Sequence, residues 1–306
     1  MPPKAVLPTP DPATTLSTEN PALRRTIAVG DAEMAYIDIG EGDPIVFLHG
    51  NPTSSFLWRN VVPHVEGMGR IVVPDFIAHG HSSTSPGDAY HYKDNIAYFD
   101  AFFEALELTK NVTLVLHDWG AAVGFYRAAR FPEQIRGIAY MEAMVWPRNW
   151  TDIPTDRVGN FKHFRTPEGA KAATESNFFT EVMLFERGIL RDLSEIEKNV
   201  YRYPVTRPGG TSLPGIIMPN DIPFDGDPAE NAALVQVYSD WLKETDTPKL
   251  FINATEGHGL AGAAREFART FRNQTEVTVN ARHYMQEDVP DEVGTAVASF
   301  VRGLPG

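Results

Sequence analysis

The hydrophobic pattern alternates between two periods along most of the chain. Short apolar, β-branched runs at Arg25–Val29, Met34–Ile37, Ile45–His49 and Arg70–Val73 predict strands, the last ending in Pro74-Asp75. A helical period follows over Tyr92–Leu106. An unbroken apolar run, Val112–His117, then precedes a small-residue helix, Gly120–Arg130, which Phe131-Pro132 closes. Ile135–Glu142 is again strand-like. After an interruption the alternation resumes with helix Glu230–Lys243, strand Lys249–Asn253, helix Leu260–Phe271, strand Thr275–Val279 and helix Asp291–Val301. Strands separated by helices predict an α/β fold with a mostly parallel, doubly wound central sheet.

Two segments break the pattern. Residues 1 to about 22 hold Pro, Thr, Ser and Asp without periodicity, which predicts a flexible leader. From Pro147 to about Pro228 the chain is rich in Pro, Phe and charged residues, with helical patches at Glu168–Phe179, Phe179–Leu190 and Ser194–Tyr201. This insertion follows the strand ending near Glu142, at the strand end where open α/β sheets bind ligands. The expected organisation is a leader (1–22), a core (23–146 and 229–306) and a helical cap (147–228).

Composition narrows the functional classes. The 306 residues are 42% hydrophobic and 11% aromatic, enough for a large core. A net charge of −13 disfavours nucleic acid and anionic membranes as partners. With no cysteine, thiol catalysis, disulfides and Cys-ligated metals are excluded. No apolar run is long enough for a transmembrane helix, and the N-terminus lacks a secretory apolar segment, so a cytoplasmic setting is expected. His79, His81 and His258 have no metal-ligand spacing. Neither a metal nor another cofactor is expected, and oligomeric state is left open.

Candidate chemistry centres on Asp118, between the Val112–His117 strand and the helix that opens at Gly120. A sharp strand–turn–helix device presents one side chain, in hydrolases usually Ser or Cys. A carboxylate there is a nucleophile at neutral pH without a base, suited to displacing a leaving group from an alkyl carbon. His283, past the last strand, is the candidate general base, and Glu142 the candidate acid on its second nitrogen. Glu256, after a later strand, is the rival acid. Asn51, in His49-Gly-Asn-Pro-Thr-Ser-Ser55, offers a backbone N–H to an oxyanion together with that of Trp119. The Asn51 amide and the Trp119 indole are uncharged donors suited to a departing halide. The bland alternatives are an N-cap role for Asp118 and core packing for Trp119. His49 and His117 are expected to be structural. Of Phe161, Phe164, Phe178, Phe179 and Phe185, one or two are expected to line a cavity.

These pieces resemble the haloalkane dehalogenases of the α/β-hydrolase superfamily, in the subgroup with an Asp–His–Glu triad and an Asn–Trp halide pair. The resemblance rests on His49–Ser55 with Leu57–Asn60, His117-Asp-Trp-Gly120, Gly137–Ala143, Pro248–Ala254, and His283 with Gln286-Glu-Asp288. It spans residues 32 to 302 and implies an α/β-hydrolase fold with a cap. It also implies hydrolysis of small halogenated aliphatic substrates by water, with halide released and no cofactor. Epoxide hydrolases share His-Asp-Trp-Gly and need lid tyrosines, for which Tyr201 and Tyr203 are available. Coelenterazine luciferases also resemble this subgroup, so a luciferase-like or ligand-binding relative is a third reading. The chain departs from the family at Leu116, at Ala78–Ser83, at Tyr203–Phe224 and at Thr255-Glu-Gly-His258. The last two segments are expected near the walls of the access tunnel, where they bear on substrate range.

Overall fold

The computed structural model describes residues 23–153 and 155–305, so the expected leader lies outside the described residues. Eight strands form one sheet: β1 (Arg24–Val29), β2 (Ala32–Ile39), β3 (Pro44–Leu48), β4 (Arg70–Pro74), β5 (Val112–His117), β6 (Ile135–Met141), β7 (Lys249–Ala254) and β8 (Gln274–Val279). Their order is β1-β2-β4-β3-β5-β6-β7-β8. β2 runs antiparallel to both neighbours, and every pairing from β4 onward is parallel. The central strands are buried on both faces, so they read as unbroken apolar runs.

Helices cover both faces: α1 (Tyr92–Ala105), α2 (Trp119–Arg130), α7 (Ala229–Glu244) and α8 (Gly262–Ala268) on one, α10 (Pro290–Gly303) on the other. The period of two sorts the strands between them. Leu114 and Leu116 of β5 pack with Phe99, Phe102 and Tyr238. Val115, one residue out of phase, packs with Val293, Val297 and Val301.

Between β6 and α7 lie α3 (Thr155–Phe164), α4 (Pro167–Glu175), a π-helical stretch at Phe179–Arg187, α5 (Glu195–Thr206) and α6 (Pro214–Asn220). Two of these differ from the sequence expectation. α3 is polar and contains Gly159, and α6 carries Pro214 and Pro219, so neither has a helical apolar stripe. The expected helix over Leu260–Phe271 is the shorter α8. A single turn, α9 (Met285–Asp288), precedes α10. Among the described residues no helix is long and apolar enough to cross a membrane.

Candidate active site

The turn between β5 and α2 holds Asp118 at φ +51° and ψ −121°, a conformation that costs a non-glycine residue strain. It places the carboxylate at the N-terminus of α2, whose dipole favours negative charge. The close approach this requires is visible at Gly120, where a Cβ would overlap the backbone of Leu48 and His49. The departure at Leu116 is matched by Gly124, since a Cβ there would overlap the Leu116 side chain.

Asp118 Oδ1 accepts from the Asn51 backbone N–H at 2.9 Å, and the Trp119 N–H also serves this carboxylate. Asp118 Oδ2 lies 3.5 Å from His283 Nε2. On the other side of the ring, His283 Nδ1 lies 2.9 Å from Glu142 Oε2. Glu256 is elsewhere, paired with Arg282 at 3.2 Å. The two acids facing His283 differ in access. The Asp118 side chain is 23% exposed, against 1% for Glu142, so Asp118 is the accessible one of the two.

Glu142 is held by three backbone N–H groups, from His258 (2.6 Å), Gly259 (2.7 Å) and Leu260 (3.3 Å). Burial acts to raise its pKa. The hydrogen bond and charge of His283, with these N–H donors, overcome it and bring it to about 2. Burial likewise opposes ionisation of Asp118, but His283 and His117 and the Trp119 N–H hold it below the usual range. For His283, burial lowers the pKa, and the two carboxylates outweigh it and lift the imidazole to about 9.

A cavity of about 150 Å³ opens over these groups. Asn51 and Trp119 line it beside Asp118. Neither the Asn51 Nδ2 nor the Trp119 Nε1 donates a hydrogen bond among the described residues, so both donors remain available to a ligand. Asn51 Oδ1 lies 3.4 Å from His79 Nε2, and Tyr284 Oη donates to the Asn51 carbonyl at 3.0 Å. His49 and His117 make backbone contacts: His49 Nδ1 with Gly50 O, and His117 Nε2 with His283 O. Phe161 and Phe179 line the cavity, whereas Phe164, Phe178 and Phe185 do not.

The lid tyrosines are not brought to the site. Tyr201 is buried in a separate cluster and donates to Glu287, and Tyr203 is an exposed side chain beside the His81 ring. Of the segments expected near the tunnel, Pro219, Ile222, Phe224 and His258 reach the cavity. Sequence reasoning missed that the loop containing His258 also holds Glu142, through backbone groups with no side-chain signature. It also missed Arg148, Arg157 and Met183 on the cavity wall. Among the described residues no group of three His, Cys, Asp or Glu is placed to hold a metal ion.

A carboxylate on a strained strand-to-helix turn, facing a histidine that follows the last parallel strand, defines an α/β-hydrolase. The family model described as the alpha/beta hydrolase fold matches residues 43–290. A haloalkane dehalogenase from Sphingobium indicum is 46% identical over 284 residues, covering 92% of this chain and 96% of the relative. One from Mycolicibacterium smegmatis is 44% identical, covering 90% of each chain. The crystal structure of a haloalkane dehalogenase from Bradyrhizobium elkani superposes with a TM-score of 0.86 at 34% identity, covering 92% of this chain and 97% of that one. The chain belongs to the haloalkane dehalogenase family.

Proposed function

We propose that this protein hydrolyses halogenated alkanes to an alcohol, a halide ion and a proton through a covalent ester on Asp118. The observation that carries the reading is one ionised, accessible carboxylate set between two uncharged free donors and a His–Glu pair. In the first step Asp118 Oδ2 attacks the halogen-bearing carbon. The carbon–halogen bond breaks, and its electron pair leaves with the halide toward the Asn51 amide and Trp119 indole. Donors without formal charge suit this step, because the negative charge appears there only in the transition state.

In the second step water adds to the ester carbonyl carbon and gives its proton to His283. Glu142 stabilises the imidazolium, and the Asn51 and Trp119 N–H groups face the tetrahedral oxyanion. Collapse returns the Asp118 carboxylate and frees the alcohol. Residues 147–228 act as the cap, since Phe161, Phe179, Met183 and Ile222 supply apolar wall. The reading keeps the cytoplasmic setting expected from the sequence and needs no cofactor.

Epoxide hydrolysis is disfavoured by the positions of Tyr201 and Tyr203. One assay panel separates the readings: halide from 1,2-dibromoethane and 1-iodobutane, diol from styrene oxide, and light from coelenterazine. Halide release alone supports the proposal. Diol or light without halide release overturns it.

A further inference from the structure

The cavity carries more positive charge than apolar walls and uncharged halide donors require. Arg148 and Arg157 both line it, beside His258. Arg148 lies at the start of the insertion and is only 7% exposed. Among the described residues the one hydrogen bond of its side chain runs from Nη2 to the Gly259 carbonyl, and no carboxylate lies within ion-pair distance of it. None of its nitrogens is sealed in protein without a partner, so those not bonded to Gly259 face open space. Arg157 Nη2 lies 3.1 Å from His258 Nε2. Burial, with the charges of His283 and Arg157, pushes the His258 imidazole down to about 4, so it accepts a hydrogen bond but offers no counter-charge.

The charges around the cavity can be counted. Of the groups that line it, Asp118 and Glu142 contribute two negative charges, and protonated His283 and Arg148 two positive ones, while Asp152, off the cavity wall, adds a negative charge that acts on Arg148. Arg157 leaves one positive charge over. A neutral haloalkane brings nothing to offset it, and among the described residues neither guanidinium, the buried Arg148 nor the half-buried Arg157, is in ion-pair contact with a carboxylate. A guanidinium fork is matched by a carboxylate, through paired charge-assisted hydrogen bonds.

Building on the dehalogenase reading, we propose that Arg148 and Arg157 bind a carboxylate at the end of the substrate remote from the halogen. The preferred substrates are then halogenated alkyl carboxylates. The chemistry is unchanged and balances: an ω-halocarboxylate and water give an ω-hydroxycarboxylate, halide and a proton.

The test compares kcat/KM for 6-bromohexanoate and 1-bromohexane, with the ω-bromocarboxylate series extended over four- to eight-carbon chains. Hexanoate and hexan-1-ol are measured as inhibitors of 1-bromohexane turnover. In the wild type, the best carboxylate exceeds its alkane counterpart by roughly tenfold or more, the scale of one charge-assisted hydrogen bond. Hexanoate inhibits at a correspondingly lower concentration than hexan-1-ol. Arg148→Met and Arg157→Met each reduce the carboxylate-to-alkane ratio, and Arg148→Lys restores part of it. Turnover of 1-bromohexane with no carboxylate preference at any chain length overturns the inference and leaves the dehalogenase reading standing. An Arg148→Met variant that slows both substrates equally overturns it too, because the charge then acts on the halide or on the acids. Halide release from no substrate removes the dehalogenase reading, and the inference with it.

Discussion

At the scale of single residues, His283 sits between two carboxylates whose fates differ in the proposed reaction. While Asp118 is ionised, it and Glu142 hold the imidazole protonated, with a pKa of about 9. In the proposed first step, alkylation turns Asp118 into a neutral ester and removes one of those two charges. The imidazole pKa then falls, and the base is released at the stage where water must lose a proton. Asp118→Asn mimics the neutral ester. An NMR titration should place the His283 midpoint near 9 in the wild type and clearly lower in this variant; equal midpoints would contradict the coupling. The two steps should also respond differently to acid. The halide burst should persist as pH falls, because the Asp118 pKa is depressed, while ester hydrolysis slows as His283 is protonated. Trp119→Phe keeps the ring and removes the indole N–H. Loss of a preorganised donor of this kind costs on the order of 3 kcal/mol in the transition state. Pre-steady-state kinetics should show carbon–halogen cleavage slowed more for 1-chlorohexane than for 1-iodohexane, because the poorer leaving group needs more help. Equal rates in variant and wild type for both would make Trp119 a packing residue.

At the scale of elements, the loop after β7 sets the orientation of the Glu142 carboxylate through the N–H groups of His258, Gly259 and Leu260. A Cβ on Gly259 would press on the Glu142 backbone, so Gly259→Ala must displace one strand end or the other. A shift of about 1 Å in a positioned group can cost roughly a hundredfold in rate. Gly259→Ala should therefore lose kcat on that scale, with the loss concentrated in ester hydrolysis, as single-turnover measurements would show. An unchanged hydrolysis rate would mean that the loop does not position the acid. This loop also marks where sequence reading stops. The β5–Asp118–α2 turn is legible because the period switches from two to 3.6 around a carboxylate. Glu142 and Glu256 both follow strands, so spacing cannot separate them; the backbone donors that hold Glu142 appear only in three dimensions. α3 and α6 are illegible for a related reason. The two helices are held by packing against each other and against α4, and they contain Gly159 and Pro219, so neither carries a clear helical signal of its own. Arg148, in a stretch rich in Pro, Phe and charge, is marked by no motif or spacing in the sequence and lies buried on the cavity wall.

At the scale of the whole molecule, a buried network joins core and insertion. Arg59, in the segment after β3, donates to Glu287 of α9 at 2.5 and 2.8 Å and to Glu197 of α5 at 2.8 Å. Arg191 and Tyr201, also from the insertion, donate to Glu287 as well. Removing one partner from such a network strands the others, at a cost of about 3 to 5 kcal/mol. Glu287→Gln should lower stability on that scale in urea unfolding near neutral pH; a loss under about 1 kcal/mol would contradict a structural role. The pH dependence has a definite sign. Burial acts to raise the Glu287 pKa, but Arg59 and Arg191 bring it to about 2, below its ordinary value of 4.5. Its contribution is therefore fully present above that ordinary value and is lost as pH falls through about 2. The gap between wild type and variant should narrow over that window.

The intact mass of the protein tests the central claim, that Asp118 becomes covalently bonded to the alkyl group. His283→Phe removes the proposed base for hydrolysis and leaves alkylation, which needs none. On mixing with 1-iodohexane, this variant should release one equivalent of iodide per site and then stop. Its intact mass should rise by that of one hexyl group in place of hydrogen, and peptide mapping should place the ester on Asp118. An unmodified mass with no iodide burst, or an adduct on any other residue, would contradict the account.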